Sequence, residues 1–87
     1  MVRVTTIANR DSFDEELLQM GIPLKISDEI CQLAIEKVTD IYEETLHSVV
    51  IHFNNNPEYS SYTVFDLVVN EDSSNEIQLV FTDFYYM

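Results

Sequence analysis

Cationic side chains are almost missing from this chain. Its 87 residues hold four of them, Arg3, Arg10, Lys25 and Lys37, against 16 carboxylates, for a formal net charge of −12. None lies beyond residue 37, so the first part carries seven acids and four bases while the rest carries nine acids and no base. Direct nucleic-acid binding is thereby excluded, because it is driven by Lys and Arg neutralising phosphates. Anionic membrane surfaces are excluded on the same ground. The single cysteine, Cys31, permits neither an intrachain disulfide nor a cysteine-based zinc cluster, and suits a reducing compartment. The single glycine, Gly21, leaves no phosphate-cradling loop. No run approaches a membrane span, and MVRVTTIANRD at the start lacks the apolar segment of a signal peptide. The expectation is a soluble protein in the cytoplasm of a bacterial host, with no cofactor.

What is present is a core. Hydrophobic residues make up 46% of the chain, including five Phe and five Tyr, enough for one folded domain over residues 1–87 despite the charge. The longest helical period runs from Ser27 to His47, with Cys31, Ala34, Ile35, Val38, Ile41, Tyr42 and Leu46 on one face. Ser27 is placed to cap it, Asp28 and Glu29 fall in the first turn, and Ile26 with Cys31 has the spacing of a hydrophobic staple. Glu29, Gln32, Glu36, Asp40, Glu43 and His47 run along the opposite face.

Before that helix, weak alternation over Met1–Ala8 predicts a short strand. Ser12 and Glu15 then have the spacing of a capping box for a short helix over Phe13–Met20, burying Phe13, Leu17 and either Leu18 or Met20. Gly21 at its C′ position and Pro23 behind it are stop signals. After His47 the period changes to two. Strands are predicted over Val49–Phe53, Tyr62–Asn70 and Glu76–Tyr86, separated by the Asn54–Pro57 break and by a polar turn over Glu71–Asn75.

The simplest assembly is a two-layer α+β domain. In it an antiparallel three-stranded meander, with the N-terminal strand as a candidate fourth, packs against one long and one short helix. Val49, Ile51, Phe53, Phe65, Leu67, Val69, Ile77, Leu79 and Phe81 form the expected inner face. Val64, Val68, Val80, Phe84 and Tyr86 are left as an apolar outer band, to be covered by the short helix or by another protein.

Signals for chemistry are weak. Cys31 lies within the apolar arc with no activating neighbour, so a buried thiol is the ordinary reading. Glu43 and His47 share a helix face at a spacing that could donate two metal ligands, but no third follows. The oxygen-rich stretch Asn70–Glu76 lacks the alternation and the central glycine of a calcium loop. Carboxylate pairs are uninformative in so acidic a chain. No catalytic, metal or cofactor residue is assigned, and an enzyme is not the expected class.

The acids carry the remaining information. Most charged stretches are simply solvated, and Asp14, Glu15, Glu16, Asp28 and Glu29 have helix-start explanations. Others sit where local structure disfavours them. Glu36, Asp40 and Glu44 are like-charge neighbours at four-residue steps, each pair costing roughly 0.2–0.5 kcal/mol. Glu43 and Glu44 lie near a helix C-terminus, and Asp66 and Asp83 lie in strands. Such a one-sided field steers a basic partner. Glu36, Asp40, Glu43, Glu44, Asp66, Glu71 and Asp72 are accordingly the expected partner-binding residues. The expected partner is a basic nucleic-acid-binding protein or a nuclease. Occluding its groove would be the work of a phage counter-defence protein, such as an anti-CRISPR or anti-restriction protein, or of an immunity protein against a nuclease toxin. A homodimeric adaptor, joined through the apolar outer band and the tail Phe84-Tyr85-Tyr86, is the alternative of a different class.

Overall fold

The computed structural model describes residues 2–86. Its elements run β1 (Arg3–Ala8), α1 (Arg10–Gln19), α2 (Leu24–Ile41), β2 (Ser48–Phe53), a 3-10 turn (Pro57–Tyr59), β3 (Ser61–Asn70) and β4 (Ser73–Tyr86). The fold is α+β, with a four-stranded mixed sheet ordered β1-β4-β3-β2 and both helices on one face. The meander is present: β2 pairs antiparallel with β3, and β3 with β4. The N-terminal strand joins it as an edge, parallel to β4. Met1, where that strand was expected to begin, lies outside the described residues.

One hydrophobic cluster fills the space between the layers. Phe13 and Leu17 of α1, Ile26, Ile30, Cys31, Ala34 and Val38 of α2, and alternate residues of the strands are all buried in it. Phe13 is central, its ring within 6.0 Å, 4.8 Å and 5.9 Å, centroid to centroid, of Phe65, Phe81 and Phe84. The expected inner face holds at Val49, Ile51, Phe53, Phe65, Leu67, Ile77, Leu79 and Phe81. It fails at Val69, which is 40% exposed: β2 pairs with β3 only as far as Asp66, so Val69 has a strand neighbour on one side alone, the buried Ile77 of β4.

The helix boundaries differ from the periodic reading. Pro23, not Ser27, precedes the first residue of α2, in extended conformation and with no side-chain cap hydrogen bond. Ser27 is fully buried one turn inside, which removes both the serine cap and the Ile26–Cys31 staple. The helix ends at Ile41, six residues before His47. Tyr42 and Leu46, half-buried against the core, instead draw the chain across to the sheet, and His47 C=O accepts from Leu67 N–H at 2.8 Å. Leu18 and Met20 of the α1 region are both exposed, as is Ile41.

Helix α1 starts at Arg10, with Asn9 in the left-handed region (φ 62°), so the Ser12–Glu15 capping box is not used. Asparagine tolerates that conformation, and the Asn9 side-chain amide donates to Phe81 C=O. Its C-terminus is as expected. Gly21 adopts φ +76°, Gly21 N–H donates to Leu18 C=O and Ile22 N–H donates to Leu17 C=O, a Schellman closure that glycine makes without strain.

The β3–β4 connection is shorter than expected. Asn70 pairs with Ser73, so only Glu71 and Asp72 form the turn, and Asp72 N–H donates to Asn70 Oδ1 at 2.9 Å. The largest departure lies further along β4. Phe81 pairs with Phe65 but Asp83 pairs with Val64, so Thr82 and Asp83 together oppose one residue. This β-bulge turns both outward and shifts the phase. Phe84, expected in the outer band, is therefore buried. Beyond it Tyr85 is exposed, and Tyr86 Oη donates to Glu58 C=O at 2.7 Å.

Candidate protein-interaction surface

The seven expected contact carboxylates are all exposed, but they do not share one helix face. Glu36 and Asp40 are on the solvent side of α2. Glu43 and Glu44 lie in the loop after it, which corrects the helical placement of both and dissolves the Glu43–His47 ligand pair and the Asp40–Glu44 repulsion. Asp66 is on the opposite side of the molecule, on the outer face of β3. Glu71 and Asp72 are the tip of the β3–β4 hairpin. The His47–Leu67 hydrogen bond ties the loop to the second half of β3, so the end of α2, the loop, Asp66 and the hairpin tip gather at one end of the molecule.

The four bases are largely engaged. Arg10 fastens α1 to α2: its Nε donates to Asp14 Oδ1 at 2.9 Å and to Ser27 Oγ at 3.1 Å, its second terminal nitrogen pairs with Asp28, and Ser27 Oγ donates to Asp14. Burial alone would lower the Arg10 pKa, but the hydrogen bonds to Asp14 and Asp28 outweigh it and raise the value. Arg3 lies 3.9 Å from Glu76, and Lys37 donates to Val50 C=O at the β2 edge. Of the nine carboxylates after residue 37, one, Glu76, has a cation within 4.0 Å among the described residues.

Cys31 is buried beside the Arg10 cluster, and burial pushes its thiol up to about 11, with the nearby Arg10 charge pulling the other way. A thiol so shifted is protonated and unreactive at neutral pH. Among the described residues no group of three His, Cys, Asp or Glu side chains is arranged to hold a metal ion. A depression on the sheet's outer face is lined by Thr5, Thr6, Val68, Asn70 and Gln78, and another lies between β1 and α2. No helix is long and apolar enough to cross a membrane.

The sequence reading missed the organisation of the outer sheet face. Neither helix covers it, and Val50 (47% exposed) and Val68 (48%) stand open there. Along one row His52, Tyr62 and Tyr85 are neighbours on β2, β3 and β4, and the His52 and Tyr62 rings stack at 4.4 Å with 18° between their planes. The alternation of β2 and β3 could have revealed the first two rings. Tyr85 depends on the bulge.

Comparison with known proteins places the chain beside none of them: no family model, no curated protein and no solved structure matches it.

Proposed function

We propose that this chain is a non-enzymatic inhibitor that docks on the cationic nucleic-acid-binding surface of another protein and keeps nucleic acid out. The observation that carries this reading is the unneutralised second part of the chain, where eight of nine carboxylates have no cation within 4.0 Å among the described residues. Charges left unpaired by the protein's own side chains are available to a partner, and they act at a distance set by salt.

Shape supports the same reading. The molecule is a rod of 39 × 22 × 18 Å. Spreading a net charge of −12 along 39 Å gives about one charge per 3.3 Å, against roughly 3.4 Å along one strand of duplex DNA. Asp40, Glu43, Glu44, Asp66, Glu71 and Asp72, clustered towards one end, form the leading edge of the contact. A counter-defence protein of a phage and an immunity protein of a nuclease toxin use this chemistry alike, and the identity of the partner separates them.

The test is capture from bacterial lysate at low salt, elution by a salt gradient, and competition between this chain and DNA or RNA for the purified partner. A replacement of Asp40, Glu43 and Glu44 by lysine should leave the far-ultraviolet spectrum unchanged and abolish the competition. A partner that binds this chain and its nucleic acid together, or a triple mutant that competes as well as the parent, would overturn the proposal.

A further inference from the structure

The outer face of the sheet has the layout of a stacking platform without the charge that such a platform needs for nucleic acid. His52, Tyr62 and Tyr85 form a row of rings across three neighbouring strands, spanning about 10 Å at the usual strand spacing. The adjoining rows are Val50, Val64 and Asp83, then Ser48, Asp66 and Val80. Asp66 and Asp83 are thus diagonal neighbours, separated by roughly 7–8 Å of sheet. Strands β2, β3 and β4 contain no Lys or Arg at all. The Arg3 guanidinium on β1 lies 3.9 Å from Glu76, and the Lys37 ammonium donates to the Val50 carbonyl at the sheet edge.

Rings that could stack bases would, on this face, bring phosphates against two carboxylates with no counter-charge. A second copy of the chain would set Asp66 and Asp83 against their own kind. The group that suits aromatic faces, valine methyls and spaced carboxylates together is the guanidinium. It stacks on rings, lays its apolar stem along valines and pairs with carboxylates through a planar fork. Lysine shares the charge but neither the plane nor the fork.

We infer that the outer face of the sheet, centred on Tyr62, Tyr85, Asp66 and Asp83, is a docking surface for arginine side chains of the protein partner. This rests on the inhibitor reading above and moves the specific part of the contact from the acidic end to the open sheet. The acidic end attracts; the sheet selects arginine.

The test titrates the full chain with nona-arginine and with nona-lysine at about 50 mM salt, a concentration at which surface charges are only partly screened. The arginine peptide should bind about fivefold more tightly, the size of an exposed stacking contribution. D66N/D83N should weaken it about fivefold, and Y85S should narrow the preference for arginine. E15Q/E29Q removes the same net charge from α1 and the first turns of α2, at exposed carboxylates outside both the sheet face and the acidic end, and should change affinity less than about twofold. Equal affinity for the two peptides, or equal losses in both pairs of variants, overturns the sheet assignment while leaving the inhibitor reading standing. Binding of a single-stranded RNA oligonucleotide, or dimerisation of the chain through this face, overturns it as well. Failure of both peptides to bind at low salt removes the inhibitor reading along with it.

Discussion

Phe13 and Phe84 meet edge to face, their ring centroids 5.9 Å apart and their planes at 63°. The contact joins the first helix to the end of the last strand, and it exists because Thr82 and Asp83 share one position in the ladder. A strand of strict period two would put Phe84 on the outer face beside Val80 and leave Phe13 without that neighbour. The bulge therefore closes the core at one end and, by the same half-turn, sets Tyr85 beside Tyr62 on the outside. Thr82 Oγ1 donates to Val64 C=O at 3.0 Å and holds the irregular segment to β3.

Phe84→Ala should accordingly destabilise the protein by about 3–5 kcal/mol, the range for a buried phenylalanine. Tyr85→Ala, at a 56% exposed position, should change stability by less than about 0.5 kcal/mol. Deleting Thr82 removes the extra residue and leaves only the outward Asp83 between Phe81 and Phe84, so Phe84 should stay inward and the loss should be well below that of Phe84→Ala. Urea unfolding followed by circular dichroism decides the matter, and a Thr82 deletion that loses as much as Phe84→Ala would show that the extra residue does not set the phase.

Which parts of this fold could be read in advance follows from how local their causes are. The inner faces of β2 and β3 were legible because period two persists without interruption from Val49 to Phe53 and from Thr63 to Leu67. The phase shift at Thr82 was not, since neither Thr nor Asp marks a bulge and the irregularity serves Phe13, 69 residues away in the chain. Ser27 has the composition of a cap, yet its hydroxyl is taken by Arg10 and Asp14 from another helix. The end of α2 at Ile41 carries no Gly or Pro, because Tyr42 and Leu46 are pulled away by the core. Acidity was legible from counting. Its distribution over α2, a loop, a hairpin tip and the far side of the sheet needed the fold.

Arg10 links three partners across the α1–α2 junction, and its side chain is 32% exposed. Arg10→Met keeps most of the apolar stem and removes the guanidinium, leaving the Asp14 and Ser27 oxygens with one bond between them and Asp28 with none of its present contact. The expected loss is about 1–3 kcal/mol, the scale of hydrogen bonds to a charged group. Arg10→Lys should recover less than half, because one ammonium cannot reproduce the planar fork. Equilibrium unfolding of the two variants measures this. Parental stability in Arg10→Met would mean that the helices are held by their apolar contacts alone.

Burial raises the Cys31 thiol from its ordinary 9.0 to about 11. The folded protein thus holds this proton more tightly than the unfolded chain does. The sign follows: the stabilisation is complete below pH 9 and is lost as pH climbs through the interval up to about 11. At pH 8 the native thiolate should be about a hundredfold scarcer than in the unfolded chain, so iodoacetamide should label Cys31 slowly until urea is added. Cys31→Ala should remove this contribution to the alkaline fall in the urea midpoint. Rapid labelling of the folded protein, or identical alkaline profiles for parent and Cys31→Ala, would contradict the assignment.

Thr63 provides the last test, because its hydroxyl is buried among apolar neighbours with no protein hydrogen-bond partner among the described residues, a property it shares with Ser61. It lies on the inner face of β3, between Ile51 on β2 and Phe84 on β4. Taking a hydroxyl out of water without a partner costs about 1–3 kcal/mol by mutational measures. Valine has nearly the same shape, keeps the branched Cβ that a strand favours and carries no polar atom. Thr63→Val should therefore stabilise the protein by about 1–2 kcal/mol, in contrast to Phe65→Ala one residue-pair away, which should cost about 3–5 kcal/mol. A rise in melting temperature for Thr63→Val is the expected reading. If the substitution is destabilising, the hydroxyl has a partner in solution, such as a buried water, and the inner end of β3 is wetter than its packing implies.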